Sequence, residues 1–383
     1  MSSLRNGGAE RSLVNLLQML DYDRYDVDLV LFQEEGMFLK QLPKNVNLRH
    51  DCEELHVLFE KNVKKIIRSK HFNLSIKHVV TTVISKKKCG KGPQSAQYRW
   101  EHFYKKLIPQ LSGHYDVAIA YLHREPTYFL VDKVNADKKI AWVHNDYSKI
   151  MQSRAMDQKY FSMIDKIVTI SDLCVDALVQ DFPMLKEKFV MLPNLTSSDV
   201  VKSMADEFYP SEYEKDGLCF VSIGRLNIQK GFDLAVKAAA ILKKHGLHFR
   251  WYILGIGELK GELEKMIQQE CVSDCFFLIG AKENPYPYMK NADVVVQTSR
   301  FEGKSVVLDE AKILGCPIVV TNYPTVYDQI SSDEGIITEL TPEGIASGVE
   351  EMLSKKAKFS EFLLSNDYGN QHEIQGYYKL IEE

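Results

Sequence analysis

From residue 217 onward, short apolar runs alternate with stretches of helical character. The runs at 219–224 (CFVSIG), 250–254 (RWYIL), 275–279 (CFFLI), 293–298 (DVVVQT) and 317–321 (PIVVT) read as buried strands. Between them, 232–244 (FDLAVKAAAILKK), 258–269, 286–291 and 305–314 read as helices, with Gly246 and Gly315 as stop signals. Strands that are apolar along their whole length and separated by helices predict a parallel sheet covered on both faces.

The first half alternates less cleanly. A helix over 9–20 precedes a strand over 27–32, and further strands are expected at 115–121, 139–144, 166–170 and 188–192. Helices are expected over 97–111, 148–163 and 172–181. Residues 196–216 are polar and lack a period, which marks an inter-domain linker between an N-terminal domain (1–195) and a C-terminal domain (217–365). The fold class is therefore α/β, with two Rossmann-like, doubly wound domains expected to face a central cleft. Only six residues precede Gly7 and they are not strand-like, so the first strand of the first sheet is expected to be missing, at a cost in stability relative to a chain extended upstream.

Composition narrows the function classes. A chain of 383 residues with 45% apolar and 26% charged residues is an ordinary globular chain of about two domains. Its net charge of −4 gives no bulk argument for nucleic acid. Seven cysteines, odd in number and scattered, favour reduced thiols and a cytoplasmic setting. Cys271 and Cys275 lie four apart with no second Cys/His pair nearby, so no metal site is expected. No run of about 18 apolar residues offers a membrane span. Residues 61–100 stand apart: they carry eleven Lys/Arg and no Asp/Glu, mixed with Ile, Phe, Leu and Val. Two readings stand side by side there, a solvated basic face and a surface lying on the anionic inner face of a membrane.

The candidate chemistry clusters after strands of the second half. Glu302-Gly303-Lys304-Ser305-Val306 follows a strand and runs into a helix that contains Glu310. Ser305 is placed to cap that helix, and backbone N–H groups around 304–306 would then be open to a diphosphate at the positive end of the helix dipole. Glu302 can hold sugar hydroxyls and Glu310 a vicinal diol such as a ribose. In Gly224-Arg225-Leu226-Asn227-Ile228-Gln229-Lys230-Gly231, two cations five apart can straddle a pyrophosphate, Arg225 as a fork and Lys230 as a point charge. Gly255-Ile256-Gly257 after a strand reads either as close backbone approach beside a nucleotide or as a tight structural turn; it lacks the third glycine of a dinucleotide fingerprint.

Taken in order, the GGAER start, the SIGRLNIQKGFDLAVKAA segment, the LGIGEL turn and the FEGKSVVLDEA helix resemble family 4 of the retaining glycosyltransferases (glycosyl transferases group 1). The resemblance implies a GT-B fold, in which a C-terminal helix (366–383) packs back on the N-terminal domain, and a nucleotide-diphosphate sugar as co-substrate without cofactor or metal. It implies that Arg225 and Lys230 hold the donor diphosphate, Glu302 the donor sugar and Glu310 the ribose. Gly7 and Gly8 would approach the phosphates, and the 280–286 stretch with Lys282 would lie near the base. His144, ending a strand in Ala141-Trp142-Val143-His144-Asn145-Asp146, is the candidate near the reacting sugar, with a buried structural histidine as the alternative; Asn145 and Asp146 line the acceptor side or cap the next helix. The EGKS form resembles enzymes of bacterial capsule and other surface-polysaccharide assembly. It implies transfer of a hexose or N-acetylhexosamine, from a UDP-sugar by preference, to a glycan or polyprenyl-linked acceptor by an enzyme that is cytoplasmic or peripheral on the inner face of the membrane. The alternatives are a nucleotide-sugar epimerase of the same fold, or a non-catalytic subunit that completes its sheet with a partner.

Overall fold

The computed structural model describes residues 1–383 except 6, 61, 63–65, 67–70, 146, 148–152 and 214–216. The chain forms two compact units. The first comprises Met1–Arg5, Ala9–Pro193 and Gln375–Glu383, and the second Asn6–Gly8 and Asn194–Ile374.

In the first unit, β1 (Val27–Leu29) pairs in parallel with β2 (Val46–Leu48) as a separate two-stranded sheet. The strands β3 (Tyr115–Ala120), β4 (Ala136–Val143), β5 (Lys166–Thr169) and β6 (Phe189–Met191) form a four-stranded parallel sheet in the order β3-β4-β5-β6. Residues 1–4 follow an extended path beside 30–35, through bonds such as Phe32 N–H to the Met1 carbonyl (3.0 Å) and Leu4 N–H to the Glu35 carbonyl (3.0 Å). Fully buried Trp142 on β4 stacks between Tyr121 (centroids 5.1 Å) and Tyr377 (5.9 Å). Tyr377 belongs to the C-terminal helix Ile374–Glu382, and its hydroxyl donates to the Pro193 carbonyl at 2.8 Å.

The second unit holds β7 (Leu218–Ile223), β8 (Phe249–Leu254), β9 (Phe276–Gly280), β10 (Val294–Gln297), β11 (Ile318–Thr321) and β12 (Ile336–Thr338). They form one parallel sheet in the order β12-β11-β10-β7-β8-β9. The order runs outward in both directions from the β7/β10 pair, so the crossovers change sides between these two strands. A crevice at the carboxyl ends of the strands follows from that geometry. The helix Phe232–Lys244 lays Ala235, Ala238 and Ala239, all fully buried, toward the core. Small side chains on this stripe let the helix approach the sheet closely. It ends in a Schellman turn, with Leu247 N–H to the Leu242 carbonyl (3.1 Å) and Gly246 N–H to the Lys243 carbonyl (3.0 Å).

Two parts of this unit differ from the sequence expectation. The stretch 196–216 is not a plain linker: it belongs to the second unit and contains the helix Ser198–Ala205, whose Val201 and Ala205 are buried. Ser197 caps it by accepting from Val200 N–H. Its eight residues are too few for a visible period, although its three buried positions, Ser198, Val201 and Ala205, are spaced three and four apart. Beyond 365, the chain stays with the second unit as far as Ile374 and only then joins the first.

The turns after β7 and β8 meet backbone to backbone. A Cβ on Gly255 would lie 1.8 Å from the Gly224 carbonyl oxygen. Gly255→Ala is therefore expected to destabilise the second unit by about 3 kcal/mol through overpacking, read as a lower urea midpoint for that unit. An unchanged midpoint would show that the two turns separate without cost.

Candidate functional site

Lys230 and Glu302 come from the loops that follow β7 and β10, the two strands at the centre of the second sheet. These loops are laced together. Arg300 N–H donates to the Gln229 carbonyl (2.7 Å), the Thr298 hydroxyl to the Lys230 carbonyl (2.8 Å) and the Gln229 amide to the Phe301 carbonyl (3.0 Å). Arg300 also forms a two-pronged bond to Asp233, at 2.8 and 2.6 Å, at the start of the Phe232–Lys244 helix. Gly231 makes the approach possible. It sits at φ 65°, ψ 28°, and a Cβ there would lie 2.0 Å from the Thr298 carbonyl oxygen.

Within this frame Lys230 Nζ lies 2.6 Å from Glu302 Oε1. The same oxygen accepts from the Ser299 hydroxyl at 2.7 Å, and Oε2 from the Gln229 amide at 3.2 Å. The Lys230 and Glu302 side chains are only 17% and 9% exposed. An ammonium has three donors and a carboxylate about four lone-pair sites, so the pair retains capacity for a phosphate oxygen on one side and a hydroxyl on the other. Arg225, on the same loop, is exposed. Gly224 lies beneath the Lys230 stem, which is 3.0 Å from where a Cβ on Gly224 would be, and Gly257 packs against the Leu226 backbone.

The loop 302–306 departs from expectation in two respects. Ser305 stands at the N-cap position of the helix Val306–Ile313, but its hydroxyl donates to Gln297 Oε1 (2.6 Å) and does not cap. Its N–H, expected to be open, donates to Gln329 Oε1 at 3.0 Å. Gln329 also donates from Nε2 to the Ser305 carbonyl and to Asp309 Oδ1 (2.8 Å). The amide of one distant glutamine thus takes the place of a helix cap. Gly303 and Val306 are buried and Lys304 is partly exposed. On the same helix Glu310 is buried and accepts from the Tyr286 hydroxyl at 2.7 Å.

Lys282, after β9, does not join Lys230. Its ammonium is bound to Glu212 and lies 5.4 Å from the Tyr288 ring centroid. Burial pushes the Glu212 carboxyl up, but hydrogen bonds from Lys282 and Tyr288 outweigh it and hold the pKa down at about 2.

Of the other candidates, His144 belongs to the first unit, whereas Gly7 and Gly8 belong to the second. His144, buried at the end of β4, has Nε2 3.1 Å from the Tyr121 carbonyl. A carbonyl only accepts, so Nε2 is the donor of this bond. Beside it His123 is buried too; burial, Arg124 and His144 drive its pKa down to about 3, so it is neutral at physiological pH. Gly8 opens the helix Gly8–Met19 and Gly7 directly precedes it. Ser12 on that helix meets the Tyr121 hydroxyl at 2.8 Å. Asp146 lies outside the described residues.

Sequence reasoning assigned no role to Gln229, Ser299, Gln329, Glu212 and His123, and placed Tyr286 only within the 280–286 stretch near the base. Gln229 lies inside the basic loop and Ser299 three residues before Glu302, so proximity in sequence was their only signal. Gln329 and Glu212 act from 24 and 70 residues away from their partners and carried none.

Residues 205–368 match the model of the family described as glycosyl transferases group 1. An N-acetylgalactosamine-N,N'-diacetylbacillosaminyl-diphospho-undecaprenol 4-alpha-N-acetylgalactosaminyltransferase of Campylobacter jejuni is 24% identical, over 92% of this chain and 88% of its own. An uncharacterized glycosyltransferase of Methanocaldococcus jannaschii is 28% identical over 50% of each chain, so the match spans half of that relative's length. Among solved structures, Anabaena HepE in complex with UDP-glucose superposes with a TM-score of 0.70 at 14% identity, over 99% of this chain and 98% of HepE. TarM of S. aureus gives 0.56 at 18% identity, over 76% of this chain and 58% of TarM. The two Rossmann-like units are those of the GT-B fold, and the second carries a glycosyltransferase domain.

One titration follows from the Glu212 contacts. A carboxylate whose pKa is depressed in the folded state stabilises the fold above its unfolded value and loses that contribution as pH falls toward the folded value. The stability difference between wild type and Glu212→Gln is expected to be full at neutral pH and to narrow below about pH 4.5. A difference independent of pH would contradict the pairing.

Proposed function

We propose that the chain is a retaining glycosyltransferase that moves a hexose or N-acetylhexosamine from a UDP-sugar to a glycan or polyprenyl-linked acceptor in cell-surface polysaccharide synthesis, working at the inner face of the membrane. The observation that carries this reading is the Lys230–Glu302 pair at the β7/β10 crossover. A cation held there by a carboxylate keeps donors for a diphosphate leaving group, and the same carboxylate can accept from hydroxyls of the transferred sugar. Glu310, fixed by Tyr286, is suited to a ribose diol. HepE binds UDP and UDP-glucose, and the Campylobacter relative acts on an undecaprenol-linked saccharide, which supports this choice of donor and acceptor. Other relatives are named for amylovoran and colanic acid biosynthesis.

The reaction that fits is front-face displacement. The bond from the anomeric carbon to the diphosphate breaks, and the acceptor oxygen bonds to that carbon on the same face. The acceptor proton passes to the departing phosphate oxygen. Lys230 and Arg225 stabilise the charge that develops on the diphosphate. Glu302 orients the sugar, and His144 lines the sugar's reacting end.

Lys230→Ala also leaves Glu302 as an uncompensated anion in a mostly buried site. Lys230→Ala and Arg225→Ala are each expected to lower turnover by about 10²–10³, measured as UDP release from a panel of UDP-sugars on addition of acceptor. Near wild-type release by both variants would remove these cations from the mechanism. UDP-sugar conversion that needs no acceptor would favour an epimerase.

A further inference from the structure

The helix Phe72–Cys89 is packed inside out. The face turned toward the first unit carries Ser75, Thr81 and Ser85, all buried, with partly buried His78. It is held by Leu74, which packs against the core of the first unit, and by polar contacts: His78 Nδ1 to the Tyr104 hydroxyl at 2.8 Å and the Ser95 hydroxyl to Ser85 Oγ at 2.9 Å. The opposite face is apolar and open. Phe72 and Val83 are each 61% exposed, Val79 49%, Val80 48%, Ile76 47% and Ile84 36%. At about 100° per residue these six side chains span an arc of roughly 140°. Leaving such a stripe in water forgoes the burial that ordinarily drives a helix to pack.

Lys77, Lys86 and Lys88 flank the same stripe, while Asn73 and Lys87 lie in line with it near its two ends. Lys77, Lys86, Lys87, Lys88 and Lys91 are exposed on the helix and just beyond it. Residues 61–100 contain eleven Lys/Arg and no Asp/Glu, in a chain whose net charge is −4. No described helix is long and apolar enough to cross a membrane. An apolar stripe bordered by lysines is the pattern of a helix that lies in the plane of a bilayer interface, with the apolar face in the acyl boundary and the ammonium groups among anionic headgroups. A second copy of this chain is a poorer occupant, because a two-fold contact through this face brings the lysines of like sign together.

We propose that the outward face of the Phe72–Cys89 helix is the surface by which this protein docks on an anionic lipid bilayer. The inference deepens the membrane location in the function proposed above and gives it a physical means. It also assigns different tasks to the two residue types. The valines and isoleucines supply affinity by burial, and the lysines supply selectivity for anionic lipid and sensitivity to salt.

The test is flotation of the full chain with vesicles of anionic and of purely zwitterionic lipid, with UDP binding followed by thermal shift as an independent readout. Wild type is expected to float with the anionic vesicles at moderate salt and not with the zwitterionic ones. Val79→Glu/Val83→Glu is expected to lower the partition coefficient by about tenfold or more, and Lys86→Gln/Lys87→Gln by about fivefold per lysine. All these positions are exposed, so UDP binding is expected to stay as in wild type. The indole of a Val83→Trp variant is expected to be quenched by lipids brominated in the acyl chain. Absence of flotation, flotation undiminished in the Glu variant, an indole left unquenched in the Val83→Trp variant, or a solution dimer that the Glu variant dissociates would each overturn the proposal. If UDP binding is intact in those cases, the glycosyltransferase reading survives them; loss of UDP binding in wild type would count against that reading alone.

Discussion

The ammonium of Lys230 and the carboxylate of Glu302 meet 2.6 Å apart, although 72 residues separate them in sequence. Neither charge would be tolerated alone at such low exposure, and together they neutralise one another at the crossover of the second sheet. Everything around the pair serves to hold it. The loops after β7 and β10 exchange backbone and side-chain hydrogen bonds, Gly231 lets them touch, and Arg300 ties them to Asp233. The arrangement is complete in the protein itself, so a charged ligand meets donors and acceptors that need little reorganisation.

The surrounding carboxylates follow a common rule. Each buried or half-buried acid has its own fixed donor: Glu302 has Lys230, Ser299 and Gln229; Glu310 has Tyr286; Glu212 has Lys282 and Tyr288. An acid fixed in this way has a defined orientation, which is what recognition of hydroxyl groups requires. The first unit contributes different chemistry. His144 is oriented by its Nε2 bond to the Tyr121 carbonyl, and the Phe72–Cys89 helix turns its apolar side outward.

Most of the second unit was legible in the chain because its central strands are apolar on both faces and its helices carry clear stops. The runs at 219–224, 250–254, 293–298 and 317–321 became β7, β8, β10 and β11. The first unit was harder to read, since β1 and β2 are three residues long and their patterns alternate weakly. The helix Ser198–Ala205 was hidden in a polar stretch for the same reason of length. Within the site, the motif residues could be named but not their partners. Ser305 has the chemistry of a cap, yet Gln297 and Gln329 claim its hydroxyl and its N–H from outside the local sequence. Lys282 has the charge of a ligand contact, but Glu212 takes it, 70 residues upstream. The basic composition of 61–100 was plain, whereas the inward and outward faces of its helix depend on what packs beneath it.

The Lys230–Glu302 pair is proposed to form the floor of a diphosphate site. A crystal structure of the protein grown with UDP tests it most directly. Phosphate oxygens are expected within hydrogen-bond reach of Lys230 Nζ and the Arg225 guanidinium, with the ribose hydroxyls on Glu310. UDP bound elsewhere on the second unit, with the Lys230–Glu302 contact untouched by phosphate, would contradict it.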